Sequence, residues 1–136
     1  MITIAEGVEF NTIAREWRCK WSADGEKASL VAAQKTLQSA LSSIKAVDGV
    51  KDVQRIVCGG CLDFKVITSL PADKFGEWGM CLFYRFTHAQ VLFWRNHELV
   101  NKEKASFAPE EDFLAKLKAI DGISEVETQT YTLMPM

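Results

Sequence analysis

The chain has 136 residues, 48% hydrophobic and 25% charged, the balance of one ordinary globular domain that needs no metal or disulfide staple to fold. Sixteen Lys+Arg against eighteen Asp+Glu leave a net charge of −2, which excludes a polybasic footprint for nucleic acid. Met1 to Phe10 shows no basic region followed by an apolar run, and the most apolar stretch, Met80 to Trp94, is broken by Arg85 and His88 and is too short to span a membrane.

Residues Phe10 to Trp21 alternate: Ile13, Trp17, Cys19 and Trp21 share one face, Thr12, Glu16, Arg18 and Lys20 the other, so a half-buried strand is predicted. Ser22-Ala23-Asp24-Gly25 breaks it with turn residues and a candidate helix N-cap. From Glu26 to Val47 the period changes. Leu30, Ala33, Leu37, Leu41, Ile44 and Val47 form one stripe at helical spacing, and Asp48-Gly49 ends the helix, with Gly49 suited to the left-handed C-terminal position. Lys51 to Cys58 and Leu62 to Leu70 read as two strands of a hairpin around Gly59-Gly60, closed by Pro71. Ala72 to Trp78 begins a short helix or turn.

Phe107 to Ile120 is again helical. Pro109 falls in the first turn, Glu110, Glu111 and Asp112 load the positive end of the helix dipole, and Phe113, Leu114, Leu117 and Ile120 make the buried stripe. Ile123 to Leu133 is a final strand, unusually polar at Glu127-Thr128-Gln129-Thr130. The predicted order is β-α-β-β-α-β, the split βαβ plan of an α+β, ferredoxin-like fold: a four-stranded antiparallel sheet with two helices on one face. An internal echo supports it, because Lys45-Ala46-Val47-Asp48-Gly49-Val50 returns as Lys118-Ala119-Ile120-Asp121-Gly122-Ile123 at the second helix-to-strand junction. One domain over residues 1–136 is expected, with 79–106 as an insertion between the third strand and the second long helix. That segment reads as a lid or interface arm, as a buried extra element, or as a retained intron.

Cys58-Gly59-Gly60-Cys61 has the spacing of a redox pair or of half a zinc site. It spans a strand-to-strand turn instead of opening a helix, where a dipole would activate a thiol. The other candidate metal ligands, Cys19, Cys81, His88 and His97, are scattered. All four cysteines are therefore expected as reduced thiols in a soluble, cytoplasmic protein. No nucleophile–base triad order, phosphate-binding glycine loop or His-Glu-x-x-His occurs, so no catalytic residue, metal or cofactor is expected. Trp17 and Trp21 either line an aromatic pocket or fill the core between sheet and helices.

The run Val47-Asp48-Gly49-Val50 through Val57, followed by Gly60-Cys61-Leu62-Asp63-Phe64, resembles the effector-binding domain of the Lrp/AsnC regulators, a dimeric α/β-barrel type. Leu117 to Leu133, with Glu127-Thr128, resembles that domain's closing helix and strand. The helix-turn-helix of the full regulators has no counterpart in Met1 to Glu9, so DNA binding is not expected. The resemblance implies an amino-acid-like ligand, with the Gly60 backbone donating to its carboxylate and Asp63 taking its amine. Gly59, Thr128 and Thr130 complete the implied ligand-binding set. A plainer reading leaves Gly60 as the residue that permits a tight turn and Asp63 as its cap.

A sheet with helices on one side leaves its other face open, and Trp, Ile and Val on both faces of several strands predict a partner there, a homodimer stacking sheet on sheet. The resulting expectation is a non-catalytic small-metabolite-binding and oligomerisation module. The alternatives are a dimeric α/β-barrel enzyme, of cofactor-free monooxygenase or haem-handling type, and a structural subunit. A histidine or acid–base pair on a strand facing the helices would favour the enzyme.

Overall fold

The computed structural model describes residues 2–72, 74 and 108–136. Among the described residues, six strands and two helices follow in the order β1 (Ile2–Ala5), β2 (Val8–Phe10), β3 (Thr12–Lys20), α1 (Asp24–Lys45), β4 (Asp52–Val57), β5 (Asp63–Pro71), α2 (Ala108–Lys118) and β6 (Ser124–Leu133). Strands β3 to β6 form one antiparallel sheet in the order β4-β5-β3-β6, which is the ferredoxin-like arrangement expected from the β-α-β-β-α-β pattern. The segment 79–106, with Cys81, His88, Trp94 and His97, lies outside the described residues, as does Trp78. Among the described residues, no helix is long and apolar enough to cross a membrane.

The alternation in β3 sets the two faces of the sheet. Trp17 opposes Val66 on β5 and Thr128 on β6, so all three stand on the helix side. There Trp17, Cys19, Trp21, Phe64 and Val66 pack against Ala33, Leu37, Ala40 and Ile44 of α1 and Phe113 and Leu117 of α2. The Trp17 and Phe113 rings meet at 5.7 Å and 59°, a tilted contact that seats α2 on the sheet. Trp17 and Trp21 thus serve as core. A smaller cluster of Phe10, Ile13, Leu70 and Ala72 closes the other end. Burial on α1 follows Ser29, Ala33, Leu37, Ala40 and Ile44, a stripe shifted slightly from the predicted one.

Both helix ends repeat one geometry. After α1, the N–H groups of Ala46, Val47 and Val50 donate to Ser42, Ile44 and Val47; after α2, those of Ala119, Ile120 and Ile123 donate to Ala115, Leu117 and Ile120. Gly49 and Gly122 take φ of 88° and 87°, the left-handed conformation both turns require.

Several details depart from the sequence reading. The stretch before β3 forms a β1–β2 hairpin. At the start of α1 no side chain caps the helix, and Gly25, Glu26 and Lys27 all have φ near +60°, so the right-handed turn begins after them. Ser29, buried, ties this entry down: its hydroxyl accepts from the Ser22 N–H at 2.9 Å and donates to the Ser22 carbonyl at 3.2 Å. In the β4–β5 turn the left-handed residue is Leu62, with φ 58°, and not Gly60.

Two expectations are overturned. Cys58 and Cys61 are joined as a disulfide, so they are not reduced thiols; their Cα atoms are 5.6 Å apart, within the usual range for a bridge. The open face of the sheet is not apolar either. Ile13, Trp17, Trp21 and Val66 all lie buried on the helix side, while the open face carries Glu16, Arg18 and Lys20 of β3, Asp63 and Lys65 of β5, and Glu127 of β6. Ile56 and Ile67 are its main aliphatic contributions from β4 and β5.

Candidate functional site

On the helix side, Arg15 shares its face with Ile13 and Trp17, a cation in an apolar row. Its Nε donates to Glu110 Oε2 at 3.0 Å and its Nη2 to Glu110 Oε1 at 2.7 Å, a two-pronged pair joining β3 to the first turn of α2. Nη1 donates to Thr130 Oγ1 of β6 at 2.7 Å. The Arg15 and Glu110 side chains are 20% and 16% exposed, so the group lies partly buried between sheet and helix layers. Thr68, fully buried on the neighbouring strand, donates its hydroxyl to the Arg15 carbonyl at 3.2 Å. A guanidinium held this way fixes a planar positive charge between sheet and α2, of the kind that attracts a carboxylate or another anionic oxygen.

On the open face the charges pair in rows. Arg18 meets Glu127 at 2.8 Å, Lys20 meets Asp63 at 2.6 Å, and Lys65 approaches Glu16 at 4.0 Å. Glu16 is 5% exposed, an uncommon state for a carboxylate in mid-strand. Burial together with the Glu16 charge pushes the Tyr131 phenol above its ordinary pKa. A depression of about 220 Å³ at the end of this face is lined by Arg18, Cys19, Lys20, Asp63, Glu125 and Glu127. It sits where the β3–β6 register slips between Arg18 and Lys20.

The residues singled out from sequence fall into three places. Gly59 and Gly60 form the exposed tip of the β4–β5 turn, with no atom within 4 Å of an added Cβ. Asp63 begins β5 on the open face, where Lys20 occupies its carboxylate and holds its pKa below the ordinary value, Lys65 and Arg18 contributing. Thr128 and Thr130 stand on the helix side, opposite Trp17 and Arg15. The sheet therefore separates Asp63 from the two threonines within one chain. Sequence reasoning assigned Glu110 to the helix dipole and passed over Arg15. The parity of Arg15 with Ile13 and Trp17 was the signal that marked it. Among the described residues no group of His, Cys, Asp or Glu could hold a metal ion.

No protein-family model matches the chain, and no curated protein matches it in sequence. Solved structures do share its fold. It superposes on Rv0793 from Mycobacterium tuberculosis with a TM-score of 0.52 at 10% identity, over 92% of this chain and 97% of that one. A proposed antibiotic biosynthesis monooxygenase from Caulobacter crescentus CB15 gives 0.53 at 8% identity, over 93% and 92%. A conserved protein from Methanosarcina mazei Go1 gives 0.51 at 10% identity, over 90% and 93%. The likeness is one of fold: two helices on a four-stranded antiparallel sheet.

Proposed function

We propose that the chain is a homodimeric, small-molecule-binding protein of the dimeric α/β-barrel kind, whose ligand carries an anionic oxygen and binds on the helix side of the sheet beside Arg15. The observation that carries this reading is the Arg15–Glu110–Thr130 cluster, a guanidinium held partly buried between the sheet and α2. The resemblance to Lrp/AsnC effector domains supports an amino-acid-like metabolite as that ligand. A ligand amine directed to Asp63, as in that resemblance, would have to displace Lys20. The homodimer draws support from the open face, where three cation–carboxylate pairs largely offset one another's charge.

A second reading, turnover at the same place, is favoured by Arg15 facing the helices with a carboxylate partner and by the fold shared with the Caulobacter protein described as a monooxygenase. A guanidinium beside an apolar wall stabilises the oxyanion of an enolised ketone, the form that reacts with dioxygen.

Native mass spectrometry of the purified chain tests the first reading. A dimer carrying a small-molecule mass that Arg15→Lys loses, with the dimer intact, is the expected result; a bare monomer overturns it. Dioxygen uptake with a panel of enolisable ketones, abolished by Arg15→Met, would carry the second reading instead.

A further inference from the structure

The β4–β5 turn holds a second piece of chemistry that ligand binding at Arg15 leaves unused. Its two ends are anchored: the Cys58 N–H donates to the Asp63 carbonyl at 2.9 Å, and the Trp21 N–H of the neighbouring chain segment donates to the Leu62 carbonyl at 2.9 Å. Lys20 Nζ donates to the Cys61 carbonyl at 2.8 Å and adds a third tie. The tip between those anchors is open, since Gly59 and Gly60 have nothing near their missing side chains. Cys61 is exposed there and Cys58 half-buried.

The two sulfurs have unlike surroundings. The Cys61 N–H points at Cys58 Sγ from 3.1 Å, a donor that favours negative charge on that sulfur. Asp63 Oδ2 lies 3.3 Å from Cys61 Sγ, and Lys20 keeps that carboxylate ionised, so negative charge on Cys61 is disfavoured. One sulfur is thus exposed to attack and the other is the better-supported leaving group, an asymmetry that directs thiol–disulfide exchange.

We propose that Cys58–Cys61 is a redox-active pair that exchanges with small thiols and their disulfides, Cys61 being the sulfur attacked and Cys58 the one released. A small thiolate attacks Cys61 Sγ and forms a mixed disulfide there. The Cys58–Cys61 bond breaks, and its electron pair leaves on Cys58, which takes a proton from solvent. A second small thiolate then attacks the small molecule's own sulfur and frees Cys61, which is protonated in turn. Two thiols are oxidised to one disulfide, and the protein disulfide is reduced to two thiols; the reverse sequence oxidises the pair. The anchored ends let both states form without moving the sheet.

The test uses the full chain, equilibrated without air in mixtures of reduced and oxidised glutathione, quenched with acid, alkylated and read peptide by peptide in a mass spectrometer. The expected result is one two-electron transition of the 58–61 pair within the range of mixtures. In Cys58→Ser a glutathione adduct accumulates on Cys61, and Cys61→Ser carries several-fold less adduct on Cys58. Cys19, buried, stays unmodified and serves as the internal control. A pair that stays in one state across every mixture overturns the proposal, and equal adducts in the two variants overturn the assignment of roles. Loss of ligand binding at Arg15 would not change this readout, so the two ideas fail separately.

Discussion

Arg15 and Glu110 stand 95 positions apart and meet through two N–H···O bonds of 3.0 and 2.7 Å, which makes them the polar rivet between the sheet and α2. A partly buried pair of this kind is costly to halve. Arg15→Ala, which leaves Glu110 without its fork, is expected to lower unfolding stability by about 1–3 kcal/mol. Removing both charges with Arg15→Met and Glu110→Leu should recover most of that, because the desolvation penalty disappears with the pair. Denaturant melts of the two single variants and the double variant measure the coupling. Arg15→Lys separates stability from binding: the charge stays, the planar fork is lost, and ligand retention should fall more than stability does.

Local pattern carried much of the fold and little of this cluster. Alternation around Trp17 and the stripe through Ala33, Leu37 and Ile44 were readable because each is a property of one segment, repeated every two or every three to four residues. The twin Asp-Gly corners were readable because Gly49 and Gly122 answer one backbone demand. Pairing across the sheet is a different matter. Nothing near Glu110 announces Arg15, and Glu110 already had a sufficient local reason to sit in a first helical turn. The open face is hard to read for a related reason: apolar residues occur in every strand, and only parity puts Ile13, Trp17 and Val66 on the helix side together. The left-handed run at Gly25, Glu26 and Lys27 contradicts the preferences of two of its three residues, so no propensity rule could have placed it.

The glycines of the two corners should be far more sensitive to alanine than those of the hairpin tip. At Gly49 an added Cβ meets the Lys74 Cβ and Cγ at 3.0 Å, and at Gly122 it meets the Ser29 Cβ at 3.1 Å, both in the left-handed conformation. Gly49→Ala and Gly122→Ala are each expected to lower stability by about 1–2 kcal/mol from the backbone alone. Gly59 and Gly60 have neither crowding nor positive φ. Their alanine variants should stay within about 0.5 kcal/mol of wild type, as at other open surface positions. Thermal melts of the four variants side by side decide this.

Cys19 is buried at 2% exposure, and that burial, with the Asp63 charge adding to it, pushes its thiol from 9.0 up to about 11. The raised folded-state value makes its contribution to stability complete below pH 9 and progressively lost as pH climbs toward 11, because the unfolded thiol ionises first. A Cys19→Ala variant, compared with wild type by denaturant unfolding, should show a shallower loss across that alkaline interval. At neutral pH the native thiol should resist alkylation and become reactive only on unfolding, with kinetics that follow global opening.

Asp63 behaves in the opposite sense. The hydrogen bond from Lys20 is the main cause of its lowered pKa, and the Lys20, Lys65 and Arg18 charges add to it. A carboxyl depressed by folding stabilises the native state fully above the unfolded value, near pH ~3.9, and that contribution drains away as pH falls through the lower, folded value. Wild type and Asp63→Asn should therefore differ in stability by a constant amount above about pH 4, and the gap should close as pH falls below the ordinary aspartate range. Lys20→Met tests the cause: the Asp63 carboxyl carbon, followed by NMR, should titrate close to an ordinary aspartate once the ammonium is gone. If it stays depressed in that variant, Lys65 and Arg18 hold the charge on the open face, and the Lys20–Asp63 pair is not what anchors the start of β5.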